Sequence, residues 1–393
     1  MATSRRATTR STSIATSAVP DPGTRPSGDD PTAIVVGAGV FGVAVADSLV
    51  RRGWDVTVVE QYAPANARGS SGDRTRLLRL GHGEGDEEHD LYYIRSAARG
   101  IALWKALSEA ADDPLLTRTG LVWLAGEHDG LEHRVAGRME LAGAPFERIT
   151  PSDTRALFPS LAVDDLAFSL YEPEAYVIRA TAAVEALLRR ARHGGARLIG
   201  DRARPAGPHA VQLTDGARSA DRVVWACGAW MGALFPREAP VRASWQDVLH
   251  WNTPPGWSTA PAWFDERVNL YGFPDVDGLG IKAVTHRPGR TFDPDRDARV
   301  PEPSMTEQVA RYIGRRFPSL AGAGVLWARV MPYEMTPDSH FIAGPAELDG
   351  HWLLGGGSGH GFKHAPALGE HIADLVEGKA DVVPMLRPGP REP

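Results

Sequence analysis

From residue 33 the chain reads AIVVGAGVFGVAVADSLVRRGWDVTVVEQ. Ala33–Val36 is apolar at every position, which suits a parallel strand covered on both faces better than a strand with a wet side. Val40–Arg52 then carries apolar residues at helical spacing, Gly53 ends that helix, and Asp55–Glu60 reads as a second strand. Strand, helix and strand in that order make a βαβ unit. Further on, the pattern predicts a long helix over 87–112, a strand in TGLVWLAG (119–126) and a helix over 179–195 stopped by two glycines. A buried strand running into a tight turn follows over 221–230, and a helix over 305–317. Residues 245–290 hold strand-like pieces rich in Trp and Tyr, separated by Pro and Gly. The stretch 351–378 repeats the order strand, glycine loop, helix, and no internal sequence repeat is found.

Length extends this picture. The chain has 393 residues, more than one hydrophobic core usually organises, so two domains are expected. A βαβ start, an aromatic β-rich middle and a returning strand, loop and helix suggest an α/β nucleotide domain assembled from separated segments. Residues 1–30 are rich in Ser, Thr, Arg and Pro, lack an apolar signal core, and read as a disordered tail outside the fold. No apolar run approaches the roughly 18 residues that suggest a membrane span. The formal charge of −6 argues against nucleic acid, whose binding needs basic surfaces. A single cysteine, Cys227, rules out an internal disulfide framework and fits a reducing compartment, so the cytoplasm is expected. Nothing in the sequence specifies an oligomer, and a monomer is the default.

Candidate chemistry begins at Gly37, Gly39 and Gly42, a G-x-G-x-x-G between strand and helix, with Glu60 lying 18 residues beyond the third glycine. Such a triplet supplies a tight turn, close approach of backbone to a pyrophosphate, and close helix–strand packing, while the acid meets ribose hydroxyls. The helix N-terminus adds partial positive charge for the diphosphate. An acid at position 60 disfavours NADP and leaves NAD and FAD. A simple NAD dehydrogenase would continue in regular βαβ units. Here an arginine-rich glycine loop over 69–85 follows instead, and a glycine-rich element returns near the C-terminus, which favours FAD.

Four later stretches, GSSGDRTRLLR (69–79), YGFPDVDGLGIKAVTH (271–286), PYEMTPDSHFI (332–342) and GGGSGHGFKHAPALGE (355–370), match a known pattern in type and order. Behind the dinucleotide motif they make residues 31–388 resemble the monomeric sarcosine oxidase and N-methyltryptophan oxidase family of flavin amine oxidases. The resemblance implies a two-domain α/β fold of the glutathione reductase/D-amino acid oxidase type. A Rossmann-like FAD domain would take 31–111, 167–236 and 330–388, and a mixed, mainly antiparallel substrate domain 112–166 and 237–329. It also implies that Lys363 and Arg79 bind a substrate carboxylate and that Lys282 promotes reaction of reduced flavin with O2. By the same token Arg76 lies near the flavin, and Tyr271, His286 and Tyr333 line the active site. Ser70, Thr75, Gly228, Gly359, Gly361 and Phe362, with Lys363 and Arg76, join the cofactor-binding set.

Elementary chemistry supports these roles. A carboxylate buried beside a flavin needs paired cations, which an arginine fork and a lysine point charge supply. Superoxide-like charge is stabilised by a fixed ammonium. The chain has only four lysines, and two fall on these motif positions. His286 gains interest from Lys282 four residues earlier, whereas His82, His340, His360 and His364 show no metal-like spacing. Trp245, Trp251, Trp257 and Trp263 read mostly as core.

Two departures from the family pattern matter. Met331 stands where covalent members carry the flavin-bearing cysteine, and Cys227 belongs to a different strand end, so FAD is expected to be non-covalent. Ser71 and Gly72 replace a histidine pair found in sarcosine oxidases, which weakens sarcosine as the substrate and leaves it open within amino acids and related amines carrying a carboxylate. The leading expectation is an oxidase that passes a hydride to flavin and electrons to O2. A flavin monooxygenase, a dehydrogenase with another acceptor and a flavin-binding module with a dead pocket are the rivals.

Overall fold

The computed structural model describes residues 30–158 and 160–392. The expected disordered tail therefore lies, apart from Asp30, outside the described residues. β1 (Thr32–Val36), α1 (Val40–Val50) and β2 (Asp55–Glu60) form the anticipated unit. β1 and β2 sit in a six-stranded sheet whose order is Ile342–Pro345, His351–Gly355, Arg222–Trp225, β1, β2, Arg197–Gly200. All neighbours are parallel except the outermost pair, Ile342–Pro345 with His351–Gly355. Every α1 residue except Val50 is buried, because the helix lies under Ala180–His193 and Ala365–Val376 as well as on the sheet. That double cover is why its sequence reads apolar almost all round.

The second layer is an eight-stranded sheet in the order Val325–Met335, Arg242–Trp251, Ile281–Thr285, Leu270–Phe273, Ala262–Asp265, Leu121–Ala125, Phe168–Glu172, Glu147–Ile149. Only Ala262–Asp265 and Leu121–Ala125 pair in parallel, so the sheet is mixed and mainly antiparallel. Phe168–Glu172 and most of Val325–Met335 pair here, although position along the chain groups residues 167–172 and 330–335 with the nucleotide half. Trp245, Trp251, Trp257 and Trp263 are all buried. β3 (Thr75–Leu78) pairs with Tyr176–Arg179, which also pairs with Leu116–Arg118, in a small sheet between the two layers. α2 (Glu87–Glu109) follows, started by Asp86, whose carboxylate accepts from the His89 N–H. No helix among the described residues is long and apolar enough to cross a membrane.

Two glycines of the first loop are dictated by space. Gly37 has φ +105°, and a Cβ there would lie 2.4 Å from the Ala226 carbonyl oxygen. A Cβ on Gly42 would lie 1.8 Å from the Gly37 carbonyl oxygen, so any side chain would push α1 off its strand. Gly42→Ala is expected to cost about 1–3 kcal/mol by overpacking and to lower the flavin retained per chain. Thermal midpoint and visible flavin absorbance check both effects; unchanged values of each would contradict the packing argument.

Candidate active site

The N-terminus of α1 opens on a cavity of about 460 Å3 that runs from Glu60 and Gln61, past Gly39 and Ser71, to Gly228 and Glu334. Glu60 is buried and held from two sides: its carboxylate accepts from the Ala38 N–H at 2.8 Å and the Tyr62 N–H at 2.9 Å. Gly39 and Gly228 line this cavity, whereas Gly42 acts behind it as a packing residue. Ser71, on one of the departure positions, accepts from the Val40 N–H at 3.0 Å and so satisfies one of the free donors that begin α1.

A smaller cavity of about 90 Å3 adjoins it, and both are lined by Val40, Phe41, Ser70, Ser71 and Glu334. Into the smaller one the chain brings Arg76, Arg79, Tyr271, His286, Tyr333, Gly359, Gly361, Phe362 and Lys363, from four separate segments. Lys282 and Thr75 are not among its lining residues. Lys282 is buried, lies over the Phe273 ring at 4.9 Å, and donates to the Asp73 carboxylate and, at 3.0 Å, to the Thr75 carbonyl.

The cations of this region fall into two kinds. Lys282 and Arg76 share the fully buried Asp73 carboxylate, which their charge holds well below the usual range against the cost of burial. Burial in turn brings the Lys282 ammonium down to about 8, with Asp73 pulling the other way. Asp73 escaped the sequence reading because a charged residue in a glycine-rich loop looks solvated. Arg79 and Lys363 differ. Both are buried, yet neither makes an ion pair among the described residues. Arg79 donates to the Gly81 carbonyl and lies over the Trp123 and Phe264 rings at 4.8 and 5.4 Å. Lys363 has only a long contact of 3.5 Å to the His360 carbonyl, and burial, then Arg79, push its ammonium far below the normal value.

Aromatic groups line the same cavity. The Tyr271 and Tyr333 hydroxyls are 3.1 Å apart, and burial raises both phenols. His286 packs edge-on to Tyr271 and Phe264. Burial brings its imidazole down to about 4, so it is neutral near pH 7. Phe362 stacks on Trp104, with centroids 5.5 Å apart.

Whether these residues suit a flavin dinucleotide can be judged from the cradle itself. A Cβ on Gly361 would lie 2.7 Å from the Phe41 ring, and one on Gly359 3.0 Å from the Tyr333 ring, so this loop is bare backbone pressed against the trench. Ser70 Oγ and Glu334 Oε2, from residues lining both cavities, are buried without a hydrogen-bond partner. Burial also raises the Glu334 carboxyl to about 7. A ring edged with donors and acceptors would satisfy them. The residues fit FAD.

Met331 is buried beside Arg76, whose guanidinium lies 3.3 Å from its sulfur. Cys227 lines the larger cavity on the strand end before Gly228, and desolvation pushes its thiol far above the normal range, which disfavours the thiolate. Acid or heat denaturation is therefore expected to leave all of the yellow flavin in the supernatant; flavin pelleting with the chain would exclude non-covalent binding. Asp73→Asn strips the buried Lys282 and the partly buried Arg76 of their carboxylate and is expected to cost about 3–5 kcal/mol, visible as a lower thermal midpoint of the holoprotein.

Comparisons with known proteins agree with this geometry. The DAO family, described as FAD dependent oxidoreductase, matches residues 32–375. A monomeric sarcosine oxidase of Streptomyces avermitilis is 31% identical over 364 residues, covering 87% of this chain and 92% of its own. An N-methyl-L-tryptophan oxidase of Salmonella newport is 28% identical over 364 residues, covering 88% and 94%. Among solved structures, L-proline dehydrogenase from P. horikoshii has a TM-score of 0.79 at 23% identity, covering 91% of this chain and 96% of its own. Glycine oxidase from Geobacillus kaustophilus has a TM-score of 0.75 at 23% identity, covering 89% and 95%. At these identities the two structures speak to the fold.

Proposed function

The chain belongs to the DAO family of FAD-dependent oxidoreductases, and we propose that it oxidises the C–N bond of an amino acid or secondary amine that carries a carboxylate. The observation that carries this reading is the pair of buried cations, Arg79 and Lys363, that line the small cavity without a carboxylate of their own. An unpaired buried charge is costly, so two together make sense where an anion arrives with the ligand. The oxidases of sarcosine and N-methyl-L-tryptophan among its relatives act on compounds of this class.

In this reading Arg79 and Lys363 clamp the substrate carboxylate and leave its amine-bearing carbon facing the trench. Tyr271, Tyr333, Phe264 and His286 line the same cavity around the clamp and keep water out. The neutral His286 imidazole can hold a hydrogen bond to the amine without adding charge. FAD held along Gly39, Glu60, Ser70 and Gly228 would supply the acceptor for the hydride that the carbon gives up and, once reduced, the two electrons that take O2 to H2O2. The substrate nitrogen lone pair closes an imine, which hydrolyses in water. Lys282 supplies positive charge near the wall formed by Arg76 and Phe273, where charge develops on dioxygen.

Peroxide release under air across N-methyl, cyclic and primary amino acids tests the proposal. Carboxylate-bearing substrates should react and their decarboxylated counterparts should not; equal kcat/KM for both would defeat it. Lys363→Met is expected to raise KM for the carboxylate substrate about 10- to 100-fold, the loss of one charge-assisted contact. A second reading, a dehydrogenase with another acceptor, draws on the engagement of Lys282 with Asp73 away from the small cavity. It predicts dye reduction by substrate with no peroxide in air.

The Lys282 role has its own pH signature. Reoxidation of the reduced enzyme by O2 should slow as pH rises through about 8, where the ammonium loses its proton. Asp73 raises that pKa against burial, so Asp73→Asn should move the fall to lower pH. Stopped-flow traces with Lys282→Met should show a slowed oxygen step while anaerobic reduction by substrate persists.

A further inference from the structure

His82, His360 and His364 do not stand out as metal ligands in the sequence, yet the fold gathers them. One ring nitrogen from each lies within 4.8 Å of one from each of the others. Ring centroids are 5.3 Å apart for His82 and His360, 5.9 Å for His82 and His364, and 5.8 Å for His360 and His364. His82 and His364 are buried, and each of the three rings keeps one buried nitrogen without a hydrogen-bond partner among the described residues: His82 Nε2, His360 Nδ1 and His364 Nε2. The remaining candidate, His340, is engaged elsewhere, with its Nδ1 2.9 Å from the Tyr93 hydroxyl.

The far nitrogens show how two of the three rings are held. His360 Nε2 is 3.3 Å from the Ser339 carbonyl, which can only accept, so Nε2 carries the proton and Nδ1 a bare lone pair. His364 Nδ1 is 3.0 Å from the Ser96 hydroxyl, leaving Nε2 as the free nitrogen. A metal-binding histidine is oriented in this way, by a partner on its far nitrogen. The Tyr93 ring, stacked on His82, and the Phe341 ring beside His360 and His364 close the sides of the cluster.

We propose that these three imidazoles form a site for one late first-row divalent metal ion, of the class of Zn2+, Ni2+ or Cu2+. Imidazole nitrogens bind such ions at about 2.0–2.1 Å, which places nitrogens of one shell about 3.4 Å apart. Small ring movements from the observed spacing suffice. Lys363 and Arg79 repel any added cation, which disfavours weakly held Ca2+ or Mg2+ and selects an ion whose affinity comes from bonds to nitrogen. His82 lies three residues after Arg79, and His360 and His364 flank Lys363. A bound ion would therefore tie together the two chain segments that carry the unpaired cations, as a structural clamp at the wall of the small cavity, which His360 lines.

The test uses flavin-loaded enzyme stripped with dipicolinate, incubated with Zn2+, passed through a desalting column and counted by plasma mass spectrometry. One ion per chain is expected in the wild type, with at least about tenfold less retained in His82→Phe and in His364→Leu. No retention by the wild type, or equal retention in all three, overturns the site. Should either variant lose its flavin, the wild type with one equivalent of Cu2+ decides by electron paramagnetic resonance. Hyperfine structure from three nitrogens supports the proposal, and coupling to one nitrogen or none overturns it.

Discussion

The structure turns on how it buries positive charge without answering it. Arg79 and Lys363 are taken out of water together, and their electrostatic cost is met by dipoles and ring faces in place of a partner carboxylate. The acid that could have neutralised them is occupied. Glu172 accepts from the Leu80 N–H at 2.7 Å, the Gly81 N–H at 3.2 Å and the Trp123 indole at 2.7 Å. It attracts Lys363 through space while its hydrogen bonds hold the strand end that carries Arg79. The segment is thus fixed by a carboxylate that does not discharge the site. In the proposed reaction the missing negative charge comes with the substrate.

A contrasting solution operates a few residues away. Asp73 joins Lys282 and Arg76 in one buried cluster, and the Arg329 guanidinium stands 3.9 Å from its second oxygen. Three cations around one carboxylate still leave net positive charge, but Asp73 fixes where the Lys282 ammonium points. One region of the fold therefore holds a lysine that is anchored and a lysine that is free. That difference suits the two lysines to the different tasks proposed for them, Lys363 at the small cavity and Lys282 outside its lining.

The parts of this arrangement that sequence reveals are those that obey a local period or a known order. β1, α1 and β2 are legible because the apolar spacing switches from strand to helix and back at Gly37 and Gly53. The helix Leu131–Ala142 is not, since only Glu132, Val135 and Met139 are buried on a polar segment interrupted by Gly137. Among site residues, Arg76, Arg79, Tyr271, His286, Tyr333 and Lys363 could be picked out by motif, and the fold brings them to one cavity. Asp73 and the histidine cluster could not. Asp73 is buried by what crosses over it, and His82 meets His360 only because β3 leads the chain to the glycine-rich loop. Such meetings depend on tertiary contact, which no local window contains.

The strand Val325–Met335 shows why the two halves cannot be treated as independent pieces. It begins at the edge of the eight-stranded sheet, paired along its length with Arg242–Trp251, and it ends inside the trench. Side chains alternate along a strand, so its last turns of pleat deliver different groups to different neighbours. Met331 lies against Arg76, and the Tyr333 hydroxyl meets Tyr271 on the substrate side. Glu334 lines both cavities, and its backbone carbonyl accepts from the Ser358 N–H at 2.9 Å. One strand thereby sets the width of the slot between the aromatic wall and the glycine loop. A shift of a single residue in its register would exchange the two faces and place the Glu334 carboxyl among Tyr271 and Arg76. The long pairing with Arg242–Trp251, a strand that sets Ser244 against Tyr333 and His250 against Lys282, is what prevents that slip.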